Sequence, residues 1–401
     1  MTHTNHLLGD SMTDFIPFAL PSITEEEITE VVDTLRSGWL TTGPKTKKFE
    51  DLFCDYLKRD HAIAVNSCTA GLHLALEAVG VTNNDIVITT VYTFTATAEV
   101  IRYLGADPIF VDIDPVTKNI DLSLLESAIE KYSDRRIKAI IPVHFAGVSC
   151  DMDAILDLAH KHDITVVEDA AHALPSLYKG KLIGSFGDIT VFSFYATKTL
   201  ATGEGGMVVT DNEEWASRIK TMRLHGISRD VFDRYSSKKP SWYYEVVAPG
   251  YKYNMTDIAA ALGIHQLKRL IEMRDRRAEI ASKYIEAFKE LPIELPYHMD
   301  DNSHSWHLFT IEIVLNKIKI SRDDLISAIT EKGIGLSVHF IPLHMHPYWK
   351  DLCSITDADF PIASNIFSRT ISLPIYPSLT DKNIDHIIDT IKQVIKENTI
   401  L

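Results

Sequence analysis

The sequence lacks the features of a secreted, membrane-spanning or zinc-binding protein. Its 401 residues include only four cysteines, which are far apart and form no CxxC pair: Cys54, Cys68, Cys150 and Cys353. This spacing indicates neither a disulfide framework nor a zinc knuckle, and a reducing cytoplasm fits it best. No apolar run approaches the roughly 20 residues that span a bilayer, and the first residues, MTHTNHLLGDSMTDF, contain no basic segment followed by an apolar one. We therefore expect neither export nor membrane insertion.

The chain also lacks an excess of basic residues. Its formal net charge is -15 and its pI is near 5.5. A protein that binds nucleic acid or an anionic membrane along a broad face needs positive charge there to offset phosphate repulsion. The composition therefore excludes such a role, and any anionic ligand must be held by a few local groups.

What the chain does contain is a regular alternation of short apolar runs with longer helical patterns. The β-branched runs are HAIAVN, DIVITT, PIFVD, IKAIIPV and ITVVED. Such alternation is typical of βαβ units, and strands without polar alternation are buried on both faces. The length and the 45% hydrophobic content suffice for two or three domains. We predict an α/β fold with a mainly parallel sheet and helices on both of its faces.

A smaller α+β domain is predicted for the C-terminal part. A long helical stretch follows Thr256, and after it come strands near WHLFTIEIV and GLSVHF and helices from Ser321 and Asp381. We place the large domain at residues 12–265 and the small domain at 266–401. Residues 1–11, which precede Met12, are expected to be a loose extension.

Four segments directly follow apolar runs and carry residues suited to a ligand. In open α/β sheets, ligands bind beyond the carboxyl ends of the strands, so these segments should meet there. They are residues 66–71, 93–95, 168–172 and 193–199, the last followed by the glycine-rich stretch 203–206. Taken singly, each has an ordinary explanation, namely a helix N-cap, a core phenylalanine, a helix-capping acid and a solvated lysine.

Together the four segments predict a site for pyridoxal phosphate. The small and hydroxylated residues at 66–71 open a helix whose free amides suit a phosphate, and Phe94 offers an aromatic platform. Asp169 is an acid at a buried strand end, and a protonated heterocycle nitrogen would be a partner for it. Lys198 lies where the βα rhythm breaks, between DITVFSF and GMVVT, and can form a Schiff base.

The chain resembles the DegT/DnrJ/EryC1/StrS family of sugar-nucleotide aminotransferases, which have the type I aminotransferase fold. The resemblance runs from SGWLTTGP at residues 37–44 to the final helix, and its most specific pieces are VEDAAHA, SFYATKTLATGEGGMVV and PGYKYNMTDIAAALG. Within the family the chain is especially similar to the branch that aminates UDP-4-keto-arabinose for lipid A modification, through GYKYNMTDI and HSWHLF.

The resemblance implies the roles of four residues around the cofactor ring. Lys198 would hold the cofactor covalently, Asp169 would pair with its pyridinium nitrogen, and His172 and Phe94 would lie against the ring. Sugar dehydratases related to the family have histidine in place of the lysine. The presence of Lys198 therefore favours amination over dehydration.

The resemblance also implies how the phosphate is held. Ser193 and the backbone of Cys68 and Thr69 would bind it within one subunit, and Asn254 would reach it from the partner subunit of an obligate homodimer. Cys68 stands where many relatives have glycine or alanine, which puts any role of its thiol in doubt.

The substrates implied by the resemblance are a nucleoside-diphosphate 4-keto sugar and L-glutamate, in the biosynthesis of a cell-surface polysaccharide or of lipid A. We expect Thr42, Tyr195 and His339 to contact the substrate. Amination at C3 of an NDP-3-keto sugar stays open as an alternative, because the sequence fixes neither the nucleotide nor the position.

A locally basic segment offers the positive charge that a diphosphate needs. Residues 223–239 contain five basic residues and two acidic ones, which gives a local net charge of 5 - 2 = +3. The basic residues are Arg223, Arg229, Arg234, Lys238 and Lys239, and the acidic ones are Asp230 and Asp233. The surrounding sequence, RLHGISRDVFDRYSSKKPSWYYEV, predicts a long loop, and long loops in compact domains often bind ligands. We expect Arg229 and Arg234 to bind the diphosphate, with a solvated charge run as the alternative.

Three other functions compete with transamination. A nicotinamide dehydrogenase is disfavoured because no GxGxxG follows a strand. A regulator that senses a sugar nucleotide on the same fold would not need Lys198, Asp169 and Asn254 together. A metal site is disfavoured because no acidic or cysteine ligand lies at a matching spacing from the candidate histidines. Those histidines are His160, His162, His339, His344 and His346.

Overall fold

The computed structural model describes residues 15–228, 244–298 and 303–400. The predicted loose extension at residues 1–11 lies outside these ranges. Within them, the strands form one seven-stranded, one three-stranded and one two-stranded sheet.

The seven-stranded sheet is built from the first half of the chain. Its strands are β1 His61–Val65, β2 Asp85–Thr90, β3 Asp107–Val111, β4 Arg136–Ile141, β5 Thr165–Asp169, β8 Ile189–Ser193 and β9 Gly206–Thr210; the hairpin of β6 Leu177–Tyr178 and β7 Lys181–Leu182 lies apart from it. The order is β1-β9-β8-β5-β4-β2-β3, with β9 antiparallel to both neighbours and all other pairs parallel. The predicted mainly parallel sheet is confirmed.

Helices cover both faces of this sheet. They are α1 Glu25–Ser37, α2 Pro44–Leu57, α3 Cys68–Ala78, α4 Ala96–Tyr103, α5 Leu122–Lys131, α6 Met152–Lys161 and α7 Glu213–Met222. Successive strand residues point to opposite faces: Ile86 of β2 packs in one core cluster with Phe49, whereas Val87 packs in another with Leu72. Burial of both faces explains why the strand sequences are apolar throughout.

The C-terminal part forms a second core around the three-stranded sheet. α8 Asp257–Lys268 still packs on α1 and α2, and its buried residues Ala260 and Ile264 belong to the core of the large sheet. The elements that follow are α9 Leu270–Phe288, β10 Ile293–Glu294, β11 Phe309–Ile313, α10 Arg322–Thr330, α11 Pro347–Cys353, α12 Pro361–Arg369, β12 Thr370–Leu373 and α13 Asp381–Glu397. The strands pair antiparallel in the order β10-β11-β12, and Tyr284, Phe309 and Ile391 lie in the core beneath them. The division into domains at residues 265 and 266 stays our proposal.

Two sequence-based expectations differ from the structure. The long helical stretch after Thr256 is two helices, because Arg269 has φ -95° and ψ 2° and separates α8 from α9. The predicted strand near GLSVHF is wrong, since only Ile334 and Ser337 form isolated bridges. Beyond Ser337 the chain bends away, and Tyr92 fixes the bend by donating from its hydroxyl to the carbonyl of His339 at 2.8 Å.

None of the helices in the described ranges is both long enough and apolar enough to cross a membrane.

Candidate active site

A cavity of about 440 Å³ lies at the carboxyl edge of the parallel strands. All four segments predicted from the sequence contribute to its wall, and residues of the C-terminal part close it. The predicted residues that line it are Cys68, Thr69, Phe94, Asp169, His172, Ser193, Tyr195, Lys198 and His339.

Asp169 is the last residue of β5, and its carboxylate is held inside the cavity. One oxygen accepts a hydrogen bond from the hydroxyl of Thr97 at 2.8 Å, and the other accepts one from the backbone N–H of Ala171 at 3.1 Å. The residue is 5% exposed and has no ion-pair partner among the described residues. Burial raises the pKa of Asp169, because the charged form loses its hydration. A cation brought into the cavity would restore the charged form.

Glu168, the neighbouring acid, points to the other side of the strand and has a different role. Its Oε2 lies 2.9 Å from Nε2 of His144, and its Oε1 accepts hydrogen bonds from Gly187 N at 2.7 Å and from the Thr190 hydroxyl at 2.6 Å. Nδ1 of His144 accepts from the backbone N–H of Cys150 at 3.0 Å, so Nε2 carries the ring proton and donates it to Glu168. The pair is fully buried, and we infer that it stabilises the fold behind Asp169.

Lys198 lies in a loop that is closed at its base by backbone hydrogen bonds. Phe194 N donates to Gly205 O and Thr202 N donates to Phe194 O, each at 2.9 Å. The amine Nζ lies 3.4 Å from Nε2 of His307. Burial lowers the pKa of Lys198 to about 8, because the ammonium ion is desolvated. A sizeable fraction of the amine is therefore uncharged near neutral pH.

The N-terminus of α3 and the start of β9 form an anion cradle. Ser67 caps the helix by accepting from Ala70 N at 3.1 Å, while the amides of Cys68 and Thr69 have no intrahelical acceptor. A Cβ on Gly206 would lie 2.9 Å from the amide nitrogen of Cys68, so only glycine lets β9 approach this closely. Ser193 is paired with Gly206 across β8 and β9. Burial raises the pKa of the Cys68 thiol well above its usual value, so the thiol is neutral.

Aromatic rings form the side walls. His172 stacks on Phe340 with ring centroids 5.6 Å apart and an interplanar angle of 21°, and Phe94 lies 6.2 Å from the same phenylalanine. Nδ1 of His172 accepts from Ala146 N at 3.2 Å, and burial lowers the pKa of this histidine well below its usual value. His172 is therefore a neutral ring. Phe94 is 60% exposed, so one of its faces is free at the cavity mouth.

Several residues of the wall are not among those predicted from the sequence. His307 and Phe340 contact Lys198 and His172, Thr97 binds Asp169, and Phe18 stacks on His339 at 5.4 Å. His307 lies in the motif HSWHLF and at the start of the predicted strand WHLFTIEIV, but neither pattern indicates a contact with Lys198. Phe18 and Phe340 are far from the strand ends in sequence and carry no local signal.

Thr42 and Asn254 do not line the Lys198 cavity. They lie together in a separate groove of about 170 Å³, where Asn254 Nδ2 donates to the Thr42 hydroxyl at 2.7 Å. Asn254 also bridges Val65 at the end of β1, and its Oδ1 accepts from Lys252 Nζ at 2.6 Å. Within its own chain, Asn254 therefore faces a different opening from Lys198.

The predicted diphosphate site needs one correction. Arg223 is 4% exposed, and its guanidinium donates to Glu50 at 2.6 Å and to the Ala64 carbonyl at 2.8 Å. Its charge is thus neutralised in the core and cannot contribute to binding a diphosphate. Arg229 and Arg234 lie outside the described residues, as do Lys238 and Lys239.

The candidate metal histidines are separated by their contacts. His339 bonds Ser372 at 2.9 Å and His344 bonds Ser364 at 2.8 Å, while His346 precedes α11. Within residues 15–228, 244–298 and 303–400, no group of three or more His, Cys, Asp or Glu side chains could hold a metal ion.

The residues present fit pyridoxal phosphate. The α3 amides and Ser193 suit its phosphate, the unpaired Asp169 suits a protonated ring nitrogen, and burial lowers the pKa of Lys198 so that more of its amine is uncharged than in an exposed lysine. When bound, pyridoxal phosphate supplies an aldehyde for an amine and a ring that withdraws electrons from the reacting carbon.

Comparison with known proteins gives the same result. A sequence model of the DegT/DnrJ/EryC1/StrS aminotransferase family matches residues 21–392. The spore coat polysaccharide biosynthesis protein SpsC of Bacillus subtilis is 51% identical over 384 residues, which cover 95% of this chain and 97% of SpsC.

Two solved structures match over nearly their whole lengths. Spr1654 of Streptococcus pneumoniae is a proposed sugar aminotransferase that has been solved in PMP and PLP forms. Its PMP form is 38% identical to this chain and superimposes with a TM-score of 0.89, and the match covers 95% of this chain and 99% of Spr1654. PseC of Helicobacter pylori, an aminotransferase involved in the biosynthesis of pseudoaminic acid, is 29% identical with a TM-score of 0.86, covering 96% of this chain and 100% of PseC. The fold and the cofactor, pyridoxal phosphate, follow from these matches.

The first prediction concerns Lys198. Lys198→Ala should lower turnover by more than about a hundredfold, since positioned proton transfer contributes roughly 10²- to 10⁴-fold. Borohydride should no longer fix pyridoxal phosphate to the protein, although the cofactor can still bind through its phosphate. Lys181→Ala, at an exposed lysine, is the matched control. A Lys198→Ala variant that keeps more than a hundredth of the wild-type rate would remove Lys198 from the mechanism.

The second prediction separates the two consecutive acids. Asp169→Asn should lower kcat strongly and cofactor affinity less, because asparagine can form a hydrogen bond but cannot supply the charge that keeps a pyridine nitrogen protonated. Glu168→Gln should instead lower the free energy of unfolding by roughly 1–3 kcal/mol, since it weakens buried hydrogen bonds away from the cavity. Steady-state kinetics and urea unfolding test both variants. Normal transamination by Asp169→Asn would reduce Asp169 to a structural acid.

Proposed function

Because this chain belongs to the DegT/DnrJ/EryC1/StrS aminotransferase family and is a pyridoxal-phosphate-dependent sugar aminotransferase, we propose that it aminates a nucleoside-diphosphate 4-keto sugar with L-glutamate as donor. The observation that carries the proposal is one cavity that holds both the amine of Lys198 and the buried carboxylate of Asp169. An amine that binds the cofactor and an acid that sets its charge are the two groups that transamination requires.

Each residue of the cavity has a proposed part in the reaction. Lys198 would hold the cofactor through its amine, and the same amine would serve as the base that moves a proton at the donor or acceptor carbon. Its pKa of about 8 keeps enough uncharged amine for both tasks. Asp169 keeps the ring nitrogen protonated, and the neutral ring of His172 packs against the cofactor without competing for that proton.

The mouth of the cavity is suited to a sugar nucleotide. Phe94 and Tyr195 are 60% and 48% exposed there, so each offers an apolar face to a ligand. His339 lines the same cavity, and burial lowers its pKa to about 4, so it is a neutral hydrogen-bonding group. None of the described lining residues is an arginine. We assign the diphosphate to Arg229 and Arg234, on the basis of sequence alone.

We propose further that the working unit is a homodimer with shared sites. Asn254 faces the groove with Thr42, away from the Lys198 cavity of its own chain. The role implied by the family resemblance, contact with the phosphate, therefore requires a second subunit. Thr42, which shares the groove, would likewise reach the partner's substrate.

The biological role that we propose is the supply of an amino sugar for a cell-surface polysaccharide or for lipid A, in the cytoplasm. SpsC is named for spore coat polysaccharide biosynthesis, and PseC acts in the biosynthesis of pseudoaminic acid. The name of SpsC connects a relative of 51% identity with a polysaccharide of the spore coat. Amination at C3 of an NDP-3-keto sugar is the second candidate.

A panel of keto-sugar nucleotides tests the proposed reaction. The purified enzyme with L-glutamate is incubated with 4-keto and 3-keto sugars on several nucleotides, and the position of the new amine is determined by NMR. We expect the amine at C4. Products aminated only at C3 would favour the alternative.

The third prediction concerns the shared site. Heterodimers of a Lys198→Ala subunit and an Asn254→Ala subunit should contain one intact site, whereas both parent homodimers should be impaired. Activity should therefore appear on mixing and subunit exchange. Failure to exceed either parent would contradict the shared-site arrangement.

The fourth prediction concerns the diphosphate. Neutralising Arg229 and Arg234 together should raise KM for the sugar nucleotide and leave the glutamate half-reaction unchanged, because only the second half-reaction involves a diphosphate. Stopped-flow absorbance measures the two half-reactions separately. Equal damage to both would place these arginines in binding of the donor carboxylates or in general structure.

A further inference from the structure

We propose that His307 is a positioning residue for Lys198. The Nε2 atom of His307 holds the lysine amine in the cavity and favours the uncharged amine over the ammonium ion. The two nitrogens lie 3.4 Å apart. His307 is 5% exposed and lines the same cavity. The inference rests on the cofactor-binding role proposed for Lys198.

The second ring nitrogen decides which form of the amine is favoured. Nδ1 of His307 is buried and has no hydrogen-bond partner in the part of the chain that the structure describes. A neutral imidazole has one N–H, so either Nε2 donates and Nδ1 is an unsatisfied acceptor, or Nδ1 is an unsatisfied donor. Orphaned buried N–H groups are rarer than under-satisfied acceptors, which favours the proton on Nε2.

The favoured tautomer suits only uncharged Lys198. An Nε2–H group can donate to the lone pair of a neutral amine. An ammonium ion has no lone pair and can bind Nε2 only if the ring proton moves to Nδ1, where it has no acceptor. The ammonium form of Lys198 is therefore disfavoured by the surroundings of His307 as well as by its own desolvation.

The backbone around His307 is fixed from three sides. Leu308 N donates to Ala146 O at 3.3 Å, and the Ser305 hydroxyl donates to His172 O at 2.6 Å. Arg277 donates to the carbonyl of Trp306 at 3.4 Å, and Trp306 itself has a positive φ of 51°. A residue held in this strained region indicates that the surrounding contacts define the position of the segment.

The charges around the pair keep the proton off His307. Burial, followed by the positive charges of Lys198 and Arg277, lowers the pKa of His307 well below its usual value. The other titratable groups facing Lys198 are Cys68, Asp169, His172 and His339. Of these, Asp169 favours the ammonium form by its charge, and Thr97 and Ala171 already donate to its oxygens. A Cys68 thiolate would also favour it, but burial raises the pKa of that thiol well above its usual value.

The test measures the titration of Lys198 in the cofactor-free protein, without using activity. Lysines are labelled with trace acetic anhydride at a series of pH values, and the labelled Lys198 peptide is quantified by mass spectrometry. The wild-type midpoint should lie near pH 8. His307→Gln provides an amide oxygen that accepts from an ammonium ion without a tautomer change. Its midpoint should rise by about one pH unit, which is about tenfold less labelling at pH 7.

Two further variants separate this role from packing. His307→Leu removes the donor to the neutral amine but adds no acceptor for the ammonium ion, so its midpoint should rise by less than that of His307→Gln. His304→Gln makes the same change in the same motif, at a buried histidine that lies outside the cavity, and should leave the midpoint unchanged. An unchanged midpoint in His307→Gln, or an equal rise in His304→Gln, would overturn the proposal.

An NMR measurement on the wild-type protein does not depend on whether the variants fold. In the cofactor-free protein above the Lys198 midpoint, imidazole ¹⁵N shifts should place the His307 proton on Nε2. A proton on Nδ1 throughout the titration would refute the inference. If borohydride fixes the cofactor to another residue, the role of Lys198 fails instead, whatever the His307 titration shows.

Discussion

A buried carboxylate without an ion-pair partner is the constraint around which the site is built. Asp169 ends the central strand β5, and the described residues give it two hydrogen-bond donors but no ion-pair partner, although the charge of Lys198 acts on it from beyond ion-pair distance. Burying a lone charge is costly, and the raised pKa of Asp169 reflects that cost. A protonated ring nitrogen removes the cost by supplying the missing cation. The carboxylate of Asp169 thus has two effects. It favours binding of pyridoxal phosphate in the cavity, and it keeps the bound cofactor able to act as an electron sink.

The position of Lys198 follows from the same edge of the sheet. β8 ends at Ser193 beside β5, and the loop after it returns through the glycines that start β9. The lysine therefore reaches the cavity from one side while α3 presents its amides from another. The C-terminal part completes the enclosure with His307, His339 and Phe340. Because these residues exclude water, burial lowers the pKa of the Lys198 amine to about 8.

The sequence was sufficient where local pattern and topology determine structure. Apolar runs predicted the strands, and the rule that parallel strands share a carboxyl edge predicted that Asp169 and Lys198 meet. It was insufficient where a contact depends on the tertiary fold. Arg223 belongs to a basic segment in sequence but is paired with Glu50 in the core, and His307 meets Lys198 across a separation of more than one hundred residues. GLSVHF has a strand-like pattern, yet its end bends to line the cavity, where the Tyr92 hydroxyl donates to the carbonyl of His339.

The central claim is that this cavity binds pyridoxal phosphate in a catalytically competent form, and the visible absorbance of the purified protein tests it most directly. Protein loaded with pyridoxal phosphate should be coloured, should lose that colour when L-glutamate is added, and should regain it when a keto-sugar nucleotide is added after removal of the glutamate. Such a cycle requires both half-reactions to take place at the same site. A colourless protein, or a coloured one that L-glutamate does not bleach, would contradict the account.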